Sequence, residues 1–149
     1  WQYRIPSGGH RPVTLVFARE KNEKALKRAL LNGQTVVWYD KRLIGKSDHL
    51  LPLINSSLKI ESAHYINATT IAHVVISNNS DAPYTMRNQS EYDFYNGTNL
   101  ITISPHGSAI VDVRTLTKKR KFELQFEVLN ALVMPDTHPL FRIVVRPKQ

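Results

Sequence analysis

Residues 14–46 constrain the fold of this chain most, because their composition changes from strand-like to helix-like and back. Thr14–Ala18 is a short apolar run, which is typical of a buried strand. Asn22 is a suitable cap for a helix over Glu23–Leu31, which the following Asn-Gly pair would end. Gln34–Tyr39 then returns to β-branched and aromatic residues. We therefore predict a β-α-β unit whose strands need parallel neighbours and a cover on both faces.

The predicted helix is too short to be stable by itself, so its apolar face needs a partner. Leu26 and Leu30 share that face, and we expect them to dock on the two predicted strands. Ile44 or Leu50–Leu53 would then connect this unit to the rest of the chain. No further alternation of strands and helices follows residue 50, so we expect this unit to be the end of a larger structure whose beginning is missing.

From Leu58 onward the hydrophobic pattern has a period of two, which is typical of strands. Turn residues separate candidate strands at Leu58–Ser62, Ile71–Ser77, Tyr84–Arg87, Tyr92–Tyr95, Leu100–Ser104, Ala109–Thr115, Phe122–Val128 and Leu140–Arg146. Such spacing indicates an immunoglobulin-like antiparallel β-sandwich. We therefore predict a mostly β fold, with a small β-α-β segment over residues 1–52 and a β-sandwich over residues 53–149.

The charge distribution leaves two interpretations open. The net charge is +8, and residues 1–50 carry ten Lys and Arg against four Asp and Glu. This excess indicates either an anionic ligand or a solvated helix face. No basic motif interleaved with aromatic residues is present, so nucleic-acid binding is not favoured. The chain has no cysteine, which excludes disulfides and thiolate metal sites, and no apolar run long enough for a membrane span.

Three segments carry a resemblance to a known family: His10–Ala18 (HRPVTLVFA), Ala25–Leu30 (ALKRAL) and Asn32–Trp38 (NGQTVVW). They resemble the closing segment of metal-dependent phosphoesterases of the polymerase-and-histidinol-phosphatase (PHP) type. In particular they resemble a bacterial phosphodiesterase subfamily in which a β-domain follows the catalytic barrel. The resemblance covers residues 10–46, and two further segments are similar to landmarks of that β-domain, Asn79–Tyr84 and Phe126–Ala131.

The resemblance implies a parent enzyme whose catalytic barrel holds divalent metal ions through H-x-H and D-x-H motifs, which lie upstream of the matched segment. This chain has neither spacing, and no two of its six histidines lie within four residues of each other. His73 falls within a predicted strand, and we interpret it as an ordinary strand residue. We therefore predict no catalytic residue, no metal site and no cofactor in this chain, with the N-terminal catalytic barrel as its missing partner.

Two candidate sites remain. His10 and Arg11 would bind an anion in the complete enzyme, with the Arg11 guanidinium forked onto a phosphate, or they are a loop pair bonded to backbone. Tyr92, Phe94 and Tyr95 cluster around a polar loop. They are a candidate aromatic binding surface for sugar rings, or they fill the core of the sandwich.

Five Asn-x-Ser/Thr sequons occur, which in a secreted eukaryotic protein could carry glycans. They begin at Asn55, Asn67, Asn78, Asn88 and Asn96. Because the resemblance is to bacterial proteins, we interpret them as chance products of asparagine-rich loops.

Two classes of function stay open. In the first, the chain is the non-catalytic C-terminal region of a PHP-type metal-dependent phosphoesterase, and the sandwich braces or caps the missing barrel. In the second, it is a stand-alone binding module for carbohydrate or a cell-envelope partner. A truncated barrel would expose an edge strand, so we expect a homodimer through that edge. The resemblance implies a periplasmic or exported protein, and a cytoplasmic location is the alternative.

Overall fold

The computed structural model describes residues 11–95 and 97–148. The elements of these residues follow in chain order: β1 (Val13–Val16), α1 (Glu23–Leu31), β2 (Thr35–Tyr39), β3 (Arg42–Gly45), α2 (Ser47–Ser57), β4 (Leu58–Tyr65), β5 (Ile71–Asn78), β6 (Tyr84–Asn88), β7 (Leu100–Ile103), β8 (Ser108–Arg114), β9 (Phe122–Val128), β10 (Ala131–Leu132) and β11 (Leu140–Val145). They fall into two compact units. Of the described residues, the first contains 11–52 and Asn130–Pro139, and the second contains Leu53–Leu129 and 140–148.

Helix α1 of the first unit begins and ends where the sequence predicts. The Asn22 side chain accepts a hydrogen bond from the Ala25 amide at 2.8 Å, which satisfies one of the free donors of the first turn. Gly33 follows the helix with a φ of 63°, a conformation that glycine adopts without strain. The predicted helix Glu23–Leu31 is confirmed.

The pairing of the flanking strands differs from the prediction. Strands β1 and β2 are antiparallel, with Val16 opposite Thr35, and β2 and β3 form a second antiparallel pair. The Phe17 amide donates to the Gln34 carbonyl at 2.9 Å, so the chain returns beside the point where it left the strand. A parallel strand would require a crossover along the whole strand length. The expected parallel β-α-β unit is therefore wrong.

The expected docking of α1 through its leucines is also wrong. Leu26 and Leu30 are 44% and 48% exposed, whereas Ala29 is 1% exposed. The Ala29 carbonyl accepts from the Gln34 amide at 2.9 Å, so the chain turns from the end of the helix directly toward β2. The helix therefore buries a small residue, which allows a close approach, and leaves its leucines on the surface.

Helix α2 is longer than the short helix suggested by the sequence. Pro52 is its sixth residue and not part of its first turn. Proline has no amide hydrogen, so the bond that residue 52 would donate to the Asp48 carbonyl is missing. The helix nevertheless continues to Ser57, whose hydroxyl donates to the Leu53 carbonyl at 2.8 Å.

Residues 130–139, which the prediction assigns to the sandwich, belong to the first unit. Strand β10 pairs in parallel with β3, giving a sheet of order β1-β2-β3-β10. The Leu43 amide donates to the Asn130 carbonyl at 2.9 Å, and the Asn130 side chain donates to the Lys41 carbonyl at 2.7 Å. His138 Nδ1 contacts the Ala131 carbonyl at 2.9 Å. These bonds hold residues 130–139 beside β3.

The second unit has two antiparallel sheets, of order β4-β5-β8 and β11-β9-β6-β7. Burial alternates strictly along β5 and β9, so each strand turns one face to the core. Large side chains buried to less than 2% exposure include Tyr84, Phe126, Ile76, Met86, Ile103, Leu124, Val74 and Val113. The predicted mostly β fold is confirmed. The candidate strand Tyr92–Tyr95 is replaced by a loop with a single bridge between Phe94 and Val113.

Candidate functional site

The predicted anion-binding pair is only half covered by the described residues. His10 lies outside them. Arg11 is exposed and precedes β1. Anion binding by this pair therefore stays a prediction.

The three candidate aromatic residues do not form one exposed surface. Tyr92 and Phe94 are 8% and 7% exposed, and only Tyr95, at 52%, is open to solvent. The Tyr92 ring meets Phe122 edge-on with centroids 5.3 Å apart, and Phe94 lies 6.2 Å from Phe126. The loop turns these two rings inward because β9 presents phenylalanines that need cover. Two of the three rings thus follow the alternative interpretation, core packing.

A cleft of about 290 Å³ opens beside this loop. It is lined by Glu91, Tyr92, Asp93, Arg114, Thr115, Leu116 and Lys119. Arg114 places its guanidinium 4.9 Å from the centroid of the Tyr95 ring, so one face of the exposed ring is occupied. Charges of both signs line the cleft, which gives it no general preference for an anion.

Lys119 is held at the cleft by Tyr92. Its ammonium donates to the Tyr92 hydroxyl at 2.7 Å, and it lies 4.8 Å from the ring centroid. This hydrogen bond, with a smaller contribution from the charge of Glu91 at 3.7 Å, raises the pKa of Lys119 above its ordinary value. Because the lysine is solvent-exposed, solvent screens these contacts, and they orient the side chain more than they stabilise the fold.

The rim of the cleft contains a tight turn. Leu116 has a φ of 60° and is almost fully exposed, an unusual conformation for leucine. The Thr117 amide donates to the Thr115 carbonyl at 2.6 Å across this turn. Thr115 itself is buried, and its hydroxyl donates to the Thr70 carbonyl at 2.9 Å, which fixes one side of the turn.

A second polar cluster lies on the sheet β4-β5-β8. His64 is in register with His73, and His73 is in register with Asp112. His73 Nδ1 and Asp112 Oδ1 are 2.8 Å apart, and the two imidazole centroids are 5.1 Å apart with an interplanar angle of 45°. Sequence reasoning missed this cluster, because its members are far apart in the chain. The sequence signal that could have found it is that each of the three residues occupies an outward-facing position in its strand.

Two comparisons with known proteins found a match. A family model for Ig-like domains, DUF5001, matches residues 58–144. The chain belongs to this family of Ig-like domains. The matched region begins with β4 and ends one residue before the end of β11, so it spans both sheets of the sandwich.

The Ig-like domain and the preceding unit together resemble a solved structure. It is a two-domain protein from Bacteroides vulgatus that contains a predicted PHP-like metal-dependent phosphoesterase. The sequences are 25% identical, the TM-score is 0.78, and the match covers 93% of this chain. The chain spans only 40% of the length of that protein. No curated protein matches the chain.

Two properties of the described residues concern metals and membranes. Residues 11–95 and 97–148 contain no group of three or more His, Asp or Glu placed to hold a metal ion. Over the same part of the chain, neither helix is long and apolar enough to cross a membrane.

Proposed function

We propose that this chain is the non-catalytic C-terminal region of a larger PHP-type metal-dependent phosphoesterase, in which the Ig-like domain braces or caps the catalytic barrel. One observation carries the proposal: the match takes in 93% of this chain but only 40% of a two-domain protein with a predicted PHP-like phosphoesterase. The resemblance of residues 10–46 to the end of a PHP barrel supports it. Divalent metals would then belong to the catalytic barrel.

The surface of α1 supports a further domain on the first unit. Leu26 and Leu30 are about half exposed, and Leu31 is 88% exposed. Val37 and Ile44, which are opposite each other in β2 and β3, are also exposed. Helices of soluble proteins usually bury such a stripe, and contiguous apolar surface marks a contact site. We assign the apolar surface of α1, defined by Leu26, Leu30 and Leu31, to the contact with the barrel.

Export and dimerisation are parts of the same proposal. Location in the periplasm or outside the cell rests on the resemblance to the bacterial subfamily. A homodimer is an alternative use of the apolar surface when the barrel is absent, because the same leucines would then need cover.

The first experiment is to sequence the gene upstream of Trp1. The proposal requires an open frame with H-x-H and D-x-H motifs; a start codon at this point or an unrelated catalytic domain would overturn it. The longer protein, loaded with Mn²⁺, should hydrolyse a model phosphodiester such as bis(p-nitrophenyl) phosphate.

Exchange of both Leu26 and Leu30 for lysine then tests the contact. In the longer protein the double variant should lower the temperature of barrel unfolding. In the 149-residue chain it should leave the thermal midpoint unchanged and abolish any dimer. Equal unfolding of the longer protein with and without the exchange would remove α1 from the contact.

A further inference from the structure

The outer face of the sheet β4-β5-β8 carries two histidines directly opposite each other. His64 and His73 are register partners on antiparallel strands, so their Cβ atoms are about 5 Å apart. Ala72 and Val74, the chain neighbours of His73, are fully buried. Because side chains alternate along a strand, the His73 ring lies on the outer face.

Asp112 fixes the orientation of the His73 ring. Its Oδ1 lies 2.8 Å from His73 Nδ1, and the aspartate side chain is 15% exposed. A carboxylate only accepts hydrogen bonds, so Nδ1 carries the hydrogen, and in the neutral imidazole Nε2 keeps its lone pair. This is the arrangement found behind metal-binding histidines, in which a carboxylate selects the tautomer and fixes the ring orientation of the ligand.

The spacing of the two rings suits a shared ion. Zn²⁺ binds imidazole nitrogen at about 2.0–2.1 Å in tetrahedral geometry, which places the centroids of two bound rings about 5 Å apart. The observed separation is 5.1 Å, and the rings are tilted by 45° rather than stacked flat. The ring separation therefore matches that of two imidazoles bound to one tetrahedral ion.

We propose that His64 and His73 form a site for a divalent transition-metal ion such as Zn²⁺ on the outer face of the Ig-like domain. Asp112 is the positioning residue, and water completes the coordination. Imidazole ligands favour Zn²⁺, Ni²⁺ and Cu²⁺ over Mg²⁺ and Ca²⁺, which require oxygen ligands. Because the protein supplies only two ligands, the binding is weaker than at a four-ligand structural zinc site. The proposal is independent of the phosphoesterase function, because it uses only residues of the sandwich.

The test is calorimetric titration of the 149-residue chain with ZnCl₂ alone. We expect one ion per chain and no binding of Mg²⁺. His64→Gln and His73→Gln should each weaken binding at least tenfold, and Asp112→Ala should weaken it by about 10- to 100-fold. His106→Gln is the matched control, since His106 pairs with Asp81 at 2.7 Å and has no register partner that is a histidine. His10→Gln controls for the histidine outside the described residues.

Spectroscopy separates ligation from a structural role. On addition of Zn²⁺, the ¹⁵N resonance of His73 Nε2 should shift strongly while Nδ1 keeps its hydrogen. His64 is exposed, so His64→Gln should retain the circular dichroism of the parent protein. If Asp112→Ala does not fold, the metal affinity of His64→Gln decides whether the site exists. Absence of saturable binding, or binding that survives in His64→Gln but is lost in His106→Gln or His10→Gln, would overturn the site.

Discussion

Asn78 and Asn88 make the same two local hydrogen bonds at the ends of β5 and β6. Each side-chain oxygen accepts from the amide two residues later, at 3.0 Å and 2.9 Å, and each side-chain nitrogen donates to the carbonyl four residues later, at 2.8 Å. Asn78 also donates to the Ser104 carbonyl at 3.0 Å and accepts from the Ser80 hydroxyl at 2.8 Å. The turns after both strands are therefore built by asparagine side chains.

We expect replacement of Asn78 by alanine to cost more than the same change at Asn88. Asn78 is 1% exposed, so its loss leaves buried donors and acceptors without partners and should lower the free energy of unfolding by roughly 3 kcal/mol. Asn88 is partly exposed and should cost about 1 kcal/mol. Urea unfolding of both variants measures the difference, and equal losses would contradict the role assigned to burial.

The same bonds give the sequons at Asn78 and Asn88 a structural reason. In the Asn-x-Ser order, the asparagine side-chain oxygen accepts a hydrogen bond from the amide of the serine two residues later. We expect neither asparagine to be glycosylated if the chain is secreted from yeast, because the nitrogen that would carry the glycan is already used. The exposed sequon at Asn67 is the control. Mass spectrometry of the tryptic peptides should show a glycan at Asn67 and none at Asn78 or Asn88, and a glycan on Asn78 would contradict the protection assigned to its hydrogen bonds.

Substitution of the small residue Ala29 should lower the stability of the chain more than substitution of the larger residue Leu26. Ala29→Leu puts a large side chain into a fully buried position and should cost about 1–3 kcal/mol. Leu26→Ala removes a half-exposed side chain and should change the stability of this chain by less than about 0.5 kcal/mol. Denaturant midpoints of both variants test the packing of α1 through its alanines. A larger loss of stability for Leu26→Ala than for Ala29→Leu would instead indicate that α1 docks through its leucines.

Tyr84 should make the fold sensitive to alkaline pH. Burial raises the pKa of its phenol above 10.0, against the opposing effect of hydrogen bonds with Ser57 and Ser80. The folded state then holds the proton more tightly than the unfolded state. The resulting stability is fully present below pH 10 and is lost as the pH rises through the folded-state pKa.

Tyr84→Phe tests this dependence. The variant should lose about 1 kcal/mol at neutral pH, since the phenol hydrogen bonds are gone. Its stability should fall less steeply than that of the parent above pH 10, while the contribution of Lys119, whose pKa is also raised, remains in both. Parallel curves of urea midpoint against pH for the two proteins would show that Tyr84 is not the group concerned.

Local sequence was sufficient for elements that carry their own signals. The cap at Asn22 and the glycine after Asn32 fix α1, and the alternation Phe122-Glu-Leu-Gln-Phe fixes β9. These features act within a few residues, so no knowledge of the partner is needed.

Pairing and burial of the irregular segments depended on distant residues. Nothing in Val13–Val16 specifies an antiparallel neighbour, and Ala131–Leu132 is too short to show a period. Tyr92 and Phe94 looked like surface residues of a polar loop until Phe122 and Phe126 were known to lie beneath them. The His64–His73–Asp112 row exists only through the register of three strands.

Because Asn130–Pro139 belongs to the first unit, the two units cannot be separated cleanly by recombination of the gene. A gene cut at residue 53 would encode every strand of the Ig-like domain but would leave Ala131 and Leu132 without the β3 edge that satisfies their backbone groups. Recombination at that point would thus yield an Ig-like domain in which Asn130–Pro139 has lost its pairing strand. Evolution would be expected to move the two units together, as a single exchangeable cassette.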